Sequence, residues 1–257
     1  MTIWLIGGTQ ESAELAKTLV DFHLPCVVTV VSESARALYP VTPLLQIWVG
    51  TLSSVEINLF LQQYQIDRIL DASHPFAADI SRLAIAVAAE QQIPYLRYER
   101  PIVHLPDRNT PPPNVEYFAS FAALLSTNRL LNQRVLLTVG YRALPLFTSW
   151  QTQTYLFARI LPSPVALQTA LNAGFTPDRI IALRPPISAA LETALWQQWN
   201  ISMVVTKASG AAGGEDIKQQ VATALGVHLI VIERPAVIYP QQTDEMAVAV
   251  AFCKKFE

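Results

Sequence analysis

The chain has 257 residues, of which 51% are hydrophobic and 15% charged, with a formal net charge of -2. That much apolar material builds a sizeable core and excludes a disordered chain, and the absence of a basic stripe or acidic tail excludes nucleic acid as the main partner. The longest apolar runs, Ala84–Ala89 and Met246–Cys253, are too short to span a bilayer, and two cysteines, Cys26 and Cys253, make neither a disulfide framework nor a metal-ligand spacing. With no cationic leader before the first strand, a cytoplasmic protein that binds no metal is expected.

Ile3–Ile6 reads as a short buried strand that exits into Gly7-Gly8-Thr9, and Glu11–Phe22 has helical spacing with Leu15, Leu19 and Phe22 on one face. Cys26–Val31 and Leu45–Val49 read as strands, Val55–Tyr64 as a helix, Ile69–Asp71 as a strand, Ala77–Gln92 as a helix and Tyr95–Tyr98 as a strand. Strand alternating with helix predicts an α/β fold with a mostly parallel sheet. Pro106, Pro111, Pro112 and Pro113 fit neither a helix nor a central strand and mark 105–114 as a linker, between a first domain over 1–104 and a second over 115–257. The second domain repeats the alternation, with strands at Val135–Val139, Tyr155–Arg159, Ile180–Leu183, Met203–Thr206 and Leu229–Ile232. Its helices are expected at Phe118–Leu131, Val165–Ala173, Ser188–Trp199, Glu215–Leu225 and Glu245–Phe256.

The two halves are related. Glu99-Arg100-Pro101 recurs as Glu233-Arg234-Pro235, Ile93–Leu96 sits like Val227–Ile230, Ile66–Leu70 like Ile201–Val205, and Ile3–Gly8 like Val135–Gly140. So nearly constant an offset predicts an internal repeat of two α/β halves, with a ligand cleft between the ends of their strands.

Chemistry-bearing residues gather at strand exits. Gly7-Gly8-Thr9 leads into a helix, where glycine permits close approach and free N–H groups attract phosphate, or where Thr9 serves as an N-cap. It is not the full dinucleotide fingerprint, because Thr9 and Ser12 stand at its second and third glycine positions. Ser32-Glu33-Ser34-Ala35-Arg36 follows the second strand, where a dinucleotide's ribose would lie. Ser32 and Arg36 favour NADPH, Glu33 leaves NADH open, and a solvated loop is the plain alternative. In Asp71–Ala77, Ser73 is placed to cap and Pro75 to open a helix, while His74 either meets a ligand as hydrogen-bond partner or proton donor, or is satisfied by backbone. Thr138-Val139-Gly140-Tyr141-Arg142 repeats the first turn, with Arg142 facing a phosphate or carboxylate, or a surface ion pair. Thr206–Gly214 is glycine-rich and carries Lys207 and Ser209 at a strand end, but it lacks the Gly-Lys-Ser/Thr ending of a P-loop.

Taken in order, these motifs resemble the precorrin-6A reductases of the corrin (vitamin B12) pathway, including the cobalt-precorrin-6A reductases. The residues that carry the resemblance are Gly7, Gly8, Thr9 and Glu11; Asp71–Ala77; Arg97, Glu99, Arg100 and Pro101; Thr138 and Gly140; and Thr206, Lys207, Ser209 and Gly210. The chain departs at Arg184–Ser188, where the family commonly has Gly-Pro-Phe-Ser, and at Ala35 and Ala208.

The resemblance implies two Rossmann-like domains holding NADPH in the cleft between them, and reduction of one ring-D double bond of precorrin-6A or its cobalt form to precorrin-6B. It implies neither a flavin nor a protein-held metal. On this reading Gly7, Gly8, Thr9, Ser32, Arg36, Ser73, Thr138, Gly140, Lys207, Ser209 and Gly210 bind the cofactor. Arg97, Arg100 and Arg142 meet the carboxylates of the tetrapyrrole, and His74 or Lys207 supplies the proton. A non-catalytic cytoplasmic binder of a nucleotide or other small molecule is the alternative. A short-chain reductase acting on another substrate would need Tyr-x-x-x-Lys, which the sequence lacks.

Overall fold

A computed structural model describes residues 2–101 and 112–254, which divide into two α/β units. The first unit opens with β1 (Thr2–Ile6), α1 (Gln10–Asp21), β2 (Cys26–Val30), the single-turn α2 (Glu33–Arg36) and β3 (Leu45–Val49). It continues with α3 (Glu56–Gln63), β4 (Ile66–Asp71), α4 (Ala78–Gln91) and β5 (Tyr95–Tyr98). The second unit follows with β6 (Val115–Phe118), α5 (Phe121–Leu125), β7 (Arg134–Leu137), a 3-10 stretch at Tyr141–Trp150, β8 (Tyr155–Ile160) and α6 (Pro164–Asn172). Then come β9 (Ile180–Ala182), α7 (Ala189–Gln198), β10 (Met203–Lys207), α8 (Glu215–Leu225) and β11 (His228–Ile232). The chain then returns to the first unit as β12 (Gln242–Thr243) and α9 (Met246–Lys254).

The strands form two six-stranded sheets in the orders β12-β5-β4-β1-β2-β3 and β6-β11-β10-β7-β8-β9. Every strand pair is parallel. The two orders correspond position by position, so the internal repeat is a repeat of sheet topology. The edge strands are exchanged. The strand that follows β5 in the chain, β6, completes the second sheet, and the strand that follows β11, β12, completes the first.

Alternation along β1 shows how the first core is divided. Ile3 and Leu5 face one side of the sheet and pack with Leu15 and Leu19 of α1 and with Ala249 and Cys253 of α9. Trp4 and Ile6 face the other side and pack with Ile57 and Phe60 of α3 and Ala84 and Val87 of α4. A parallel strand covered on both faces needs apolar residues throughout, and all five residues of β2 are buried. The indole of Trp4 donates to Thr29 Oγ1 at 2.9 Å, which satisfies the one polar atom that this side chain brings into the core.

Three expectations need correction. The second domain was expected over 115–257, but 236–254 belongs to the first unit. Arg97 N donates to Gln241 O at 3.0 Å and Glu99 N to Thr243 O at 2.8 Å, while Ala249 and Cys253 are fully buried in the first core. The helix expected at Phe118–Leu131 is instead the end of β6 followed by α5, which Ser120 caps. Ser126 and Thr127 turn their hydroxyls back onto the carbonyls of Ala123 and Leu124, and the helix stops there. The helix after Asp71 begins at Ala78 rather than at Pro75: Ala77 N donates to His74 O at 2.7 Å, so Pro75 sits inside a turn. Residues 102–111, which include most of the expected linker, lie outside the described residues.

The C-terminal segment supplies an edge strand and one helix of the core to the first unit. Truncation after Pro235 is expected to abolish the slow hydrogen exchange of β1, β4 and β5 while β7, β10 and β11 keep theirs. Exchange measured by mass spectrometry reads both regions in one experiment.

Candidate functional site

In each sheet the chain leaves the middle strand in one direction, through two strands, and re-enters on its other side. The reversal falls between β1 and β4 in the first unit and between β7 and β10 in the second. At such a point the connections at the carboxyl ends of the two strands diverge and leave a crevice. In the first unit the crevice is flanked by Gly7-Gly8-Thr9 and by Ala72–Ala77. In the second it is flanked by Thr138-Val139-Gly140 and by Lys207–Gly214.

The glycine turn of the first unit is closed on itself. Thr9 and Ser12 form a reciprocal cap, with Ser12 N donating to Thr9 Oγ1 at 3.1 Å and Thr9 N to Ser12 Oγ at 3.0 Å. Thr9 Oγ1 donates to Ala72 O at 3.1 Å, tying this turn to the one after β4. Gly7 N donates to Thr29 O, and Gly8 N donates to the hydroxyl of Tyr39 at 2.7 Å. Each of these three amides therefore already has an acceptor within the chain. What the turn offers is approach. Gly8 has a φ of +100°, and a Cβ built there would meet nothing within 4 Å. Capping leaves the N–H groups of Gln10 and Glu11 as the donors at the start of α1. Glu11 is the acidic residue of that turn, and Arg100 pairs with it at 3.0 Å, both side chains being largely buried. Arg100 thus offsets the one carboxylate that would repel an anion there.

Beneath the turn after β4 lies a buried ionic knot. Asp71 is fully buried and accepts from Ser73 N, Ser81 Oγ, Tyr95 Oη and Arg97 at 2.6–3.0 Å. Arg97 is 1% exposed and donates to Asp71, Ser73 Oγ, Ser73 O and Glu99 Oε2, and its Nη2 also lies 2.8 Å from that Glu99 oxygen. The Tyr239 ring lies 5.3 Å from its guanidinium carbon. Two expectations change here. Arg97 is buried with its guanidinium turned to Asp71, Ser73 and Glu99 rather than outward, and Ser73 serves this knot instead of capping a helix. The knot holds the turn that carries His74. His74 Nδ1 accepts from Phe76 N at 3.1 Å, so a neutral ring carries its proton on Nε2 and that atom is the ring's donor.

In the α2 region Ser32 caps the helix and contacts Ser34 Oγ at 3.0 Å. Arg36, more than half exposed, stands 3.7 Å from Glu33.

The second unit's loop is likewise self-contained. Thr138 donates both its N–H and its hydroxyl to Val205 O, and Ser209 donates both of its own to Lys207 O. Gly210 N donates to the buried Glu215 carboxylate at 2.9 Å. Lys218 Nζ, also buried, holds the carbonyls of Gly213 and Gly214 at 2.7 and 3.0 Å. Gly213 must be glycine, because a Cβ there would clash with Ser209 Oγ. Lys207 stands at the end of β10, where the loop begins. Burial, and then the neighbouring charge of Arg142, bring its pKa down to about 8. A Cβ on Gly140, which has a φ of +79°, would lie 3.9 Å from its ammonium.

The residues that sequence reasoning missed are Tyr39, Ser81, Tyr95, Tyr239, Glu215 and Lys218. None belongs to a motif, and Tyr239 lies in the segment assigned to the wrong domain. Among the described residues no group of three His, Cys, Asp or Glu could hold a metal ion, and no helix is long and apolar enough to cross a membrane.

Two of the three arginines expected to bind substrate, Arg97 and Arg142, separate cleanly by stability. Arg97→Ala leaves Asp71 charged and unpaired in the core and should lower unfolding free energy by about 3–5 kcal/mol. Arg142→Ala, at an exposed position, should change it by about 0.5 kcal/mol or less. Urea unfolding followed by tryptophan fluorescence measures both.

The model of the precorrin-6x reductase CbiJ/CobK family matches residues 2–254. A cobalt-precorrin-6A reductase of Synechocystis is 50% identical over 254 residues, covering 99% of this chain and 96% of its own. A precorrin-6A reductase of Rhodococcus erythropolis is 31% identical, covering 97% and 96%. The solved structure of CobK precorrin-6A reductase superposes with a TM-score of 0.78 at 25% identity, over 98% of this chain and 95% of that one. With matches spanning nearly the whole chain in sequence and in fold, this protein belongs to the precorrin-6x reductase CbiJ/CobK family.

Proposed function

We propose that this chain reduces cobalt-precorrin-6A with NADPH, binding the dinucleotide at the crevice between β1 and β4. Family membership makes it an oxidoreductase acting on precorrin-6A and removes the reading as a non-catalytic binder. The cobalt-containing substrate is favoured because the relative at 50% identity carries that name, whereas two relatives named precorrin-6A reductase are 31% and 32% identical. The two buried, unpaired cysteines suit a reducing cytoplasm.

The observation that carries the dinucleotide reading is Gly8, with positive φ and open space where a side chain would stand, beside the start of α1 at the reversal of strand order. A bound dihydronicotinamide supplies a hydride; the protein supplies position, charge and a proton. Gly8 admits the diphosphate to the backbone, and the N–H groups of Gln10 and Glu11 face it, with Arg100 cancelling the Glu11 charge. Ser32 and Arg36 follow β2 and meet the 2′-phosphate. His74, held by the Asp71–Arg97 knot, presents Nε2–H. Lys207 remains mostly protonated at neutral pH and, with Arg142, offers cationic charge to the carboxylates of the tetrapyrrole or a proton to the reduced bond.

The deciding experiment follows NADPH and NADH absorbance with purified protein and either cobalt-precorrin-6A or precorrin-6A. Turnover fastest with NADPH and the cobalt form is expected. Cofactor binding without turnover on either tetrapyrrole would sink the reading.

Arg36→Ala should raise the KM for NADPH about tenfold or more and leave that for NADH within about twofold, since one charge-assisted contact to the 2′-phosphate is lost. An equal rise for both cofactors would refute the assignment.

Lys207 adds a pH signature. Its acidic form is the charged one, so kcat should fall as pH rises through about 8. Arg142→Ala removes the repelling charge and should move that limb to higher pH, while Lys207→Arg should abolish it. Rate profiles between pH 6 and pH 10 test all three.

A further inference from the structure

The hydrogen bonds around Tyr39 have a direction. Ser12 Oγ donates its single proton to Thr9 O at 2.7 Å, so at its 2.6 Å contact with Tyr39 Oη it accepts. Tyr39 therefore donates to Ser12 and is left to accept from Gly8 N at 2.7 Å. The result is one chain of donors, from Gly8 N–H to Tyr39 O–H to Ser12 O–H to the carbonyl of Thr9. Burial pushes the Tyr39 phenol up, so its proton stays in place at working pH. The geometry also demands glycine on the other side: a Cβ on Gly7 would clash with Tyr39 Oη. Tyr39 thus packs directly under the turn, and Ser12, at the place of the fingerprint's third glycine, completes the contact.

We propose that Tyr39 is a positioning residue for the dinucleotide, which takes the Gly8 N–H inward so that Gly8 keeps the backbone conformation that opens its outer side to the ligand. This rests on the reading of the β1–β4 crevice as the cofactor site. Tyr39 also joins two parts of that site. Its own N–H donates to Arg36 O at 3.2 Å, so the segment bearing Arg36 and the glycine turn are joined through one residue. The hydroxyl serves the diphosphate end common to NADPH and NADH. Its removal should therefore weaken both cofactors alike, unlike the loss of Arg36.

The test is Tyr39→Phe, which keeps the ring beneath Gly7 and removes only the relay. Fluorescence titration should show Kd for NADPH and for NADH each rising about tenfold, as expected when the part-buried Gly8 N–H loses the acceptor that holds it. In the steady state KM should follow Kd, with kcat changed less than about twofold. Ser12→Ala breaks the next link and should act in the same direction, and the double variant should be no weaker than the worse single one, because the relay acts as a unit. Ser12→Ala also carries the test alone if Tyr39→Phe does not fold. Unchanged Kd for both cofactors overturns the inference, whatever happens to the melting temperature, and so does a rise confined to NADPH. Failure of the wild-type protein to bind either dinucleotide overturns the crevice reading along with it. Wild-type binding matched by Tyr39→Phe overturns the inference alone.

Discussion

The first unit depends on one buried ion pair. Asp71 and Arg97 lie at the ends of neighbouring parallel strands with no water to screen them, and in such a place a charge is tolerable only if every hydrogen-bonding position around it is filled. They are filled by a set drawn from four places in the chain: Ser73 from the turn, Ser81 from α4, Tyr95 and Glu99 from β5 and the residues after it, and Tyr239 from the returning C-terminal segment. Such a knot has one geometry. It fixes the path of the chain from Asp71 to Ala77, and so the place of His74, far more tightly than apolar packing would.

The same economy runs through the other turns. Side chains that look, in sequence, like a ligand-binding inventory are mostly spent on the backbone. Thr9 caps α1, Ser32 caps α2, Thr138 ties β7 to β10, and Ser209 and Glu215 close the loop after β10. Polar residues at a strand exit must first satisfy the backbone groups that the strand and helix leave open, and only what remains can face a ligand. In this protein the open backbone at Gly8 is what the first glycine turn leaves unobstructed. A site with few outward groups on turns held by many inward ones is preorganised, which is what hydride transfer asks of a protein.

Much of this was legible beforehand, for identifiable reasons. The strands of both sheets show as short apolar runs, because a parallel strand covered on both faces has no polar side to confuse the pattern. The repeat and the glycine turns show because they recur at nearly fixed spacing. The use of Arg97 was not legible: an arginine near the end of a strand reads the same whether it faces a substrate or a carboxylate on the neighbouring strand. Nor was Tyr39, whose contact with Gly8 spans 31 residues and leaves no local pattern. The C-terminal segment was misassigned because order along the chain was taken for membership of a domain, and the two residues of β12 are too few to show any period.

That misassignment points to the deeper constraint. A duplicated half that kept its own sixth strand would be complete in itself. Here each half hands that strand to the other sheet, and the Glu-Arg-Pro repeat marks both handovers. The first copy, after β5, puts Glu99 into the knot and Arg100 against Glu11; the second, after β11, turns Arg234 onto Ala208 O at 2.8 Å in the loop behind Lys207. At each departure point the same tripeptide fastens the outgoing chain to residues beside the crevice of the unit it is leaving. The first sheet gains its edge only when the last residues of the chain return, and those residues also bring Tyr239 to Arg97. Completion of the fold and completion of the ground beneath His74 are therefore one event, and the conformation of the turn follows from the closure of the sheet.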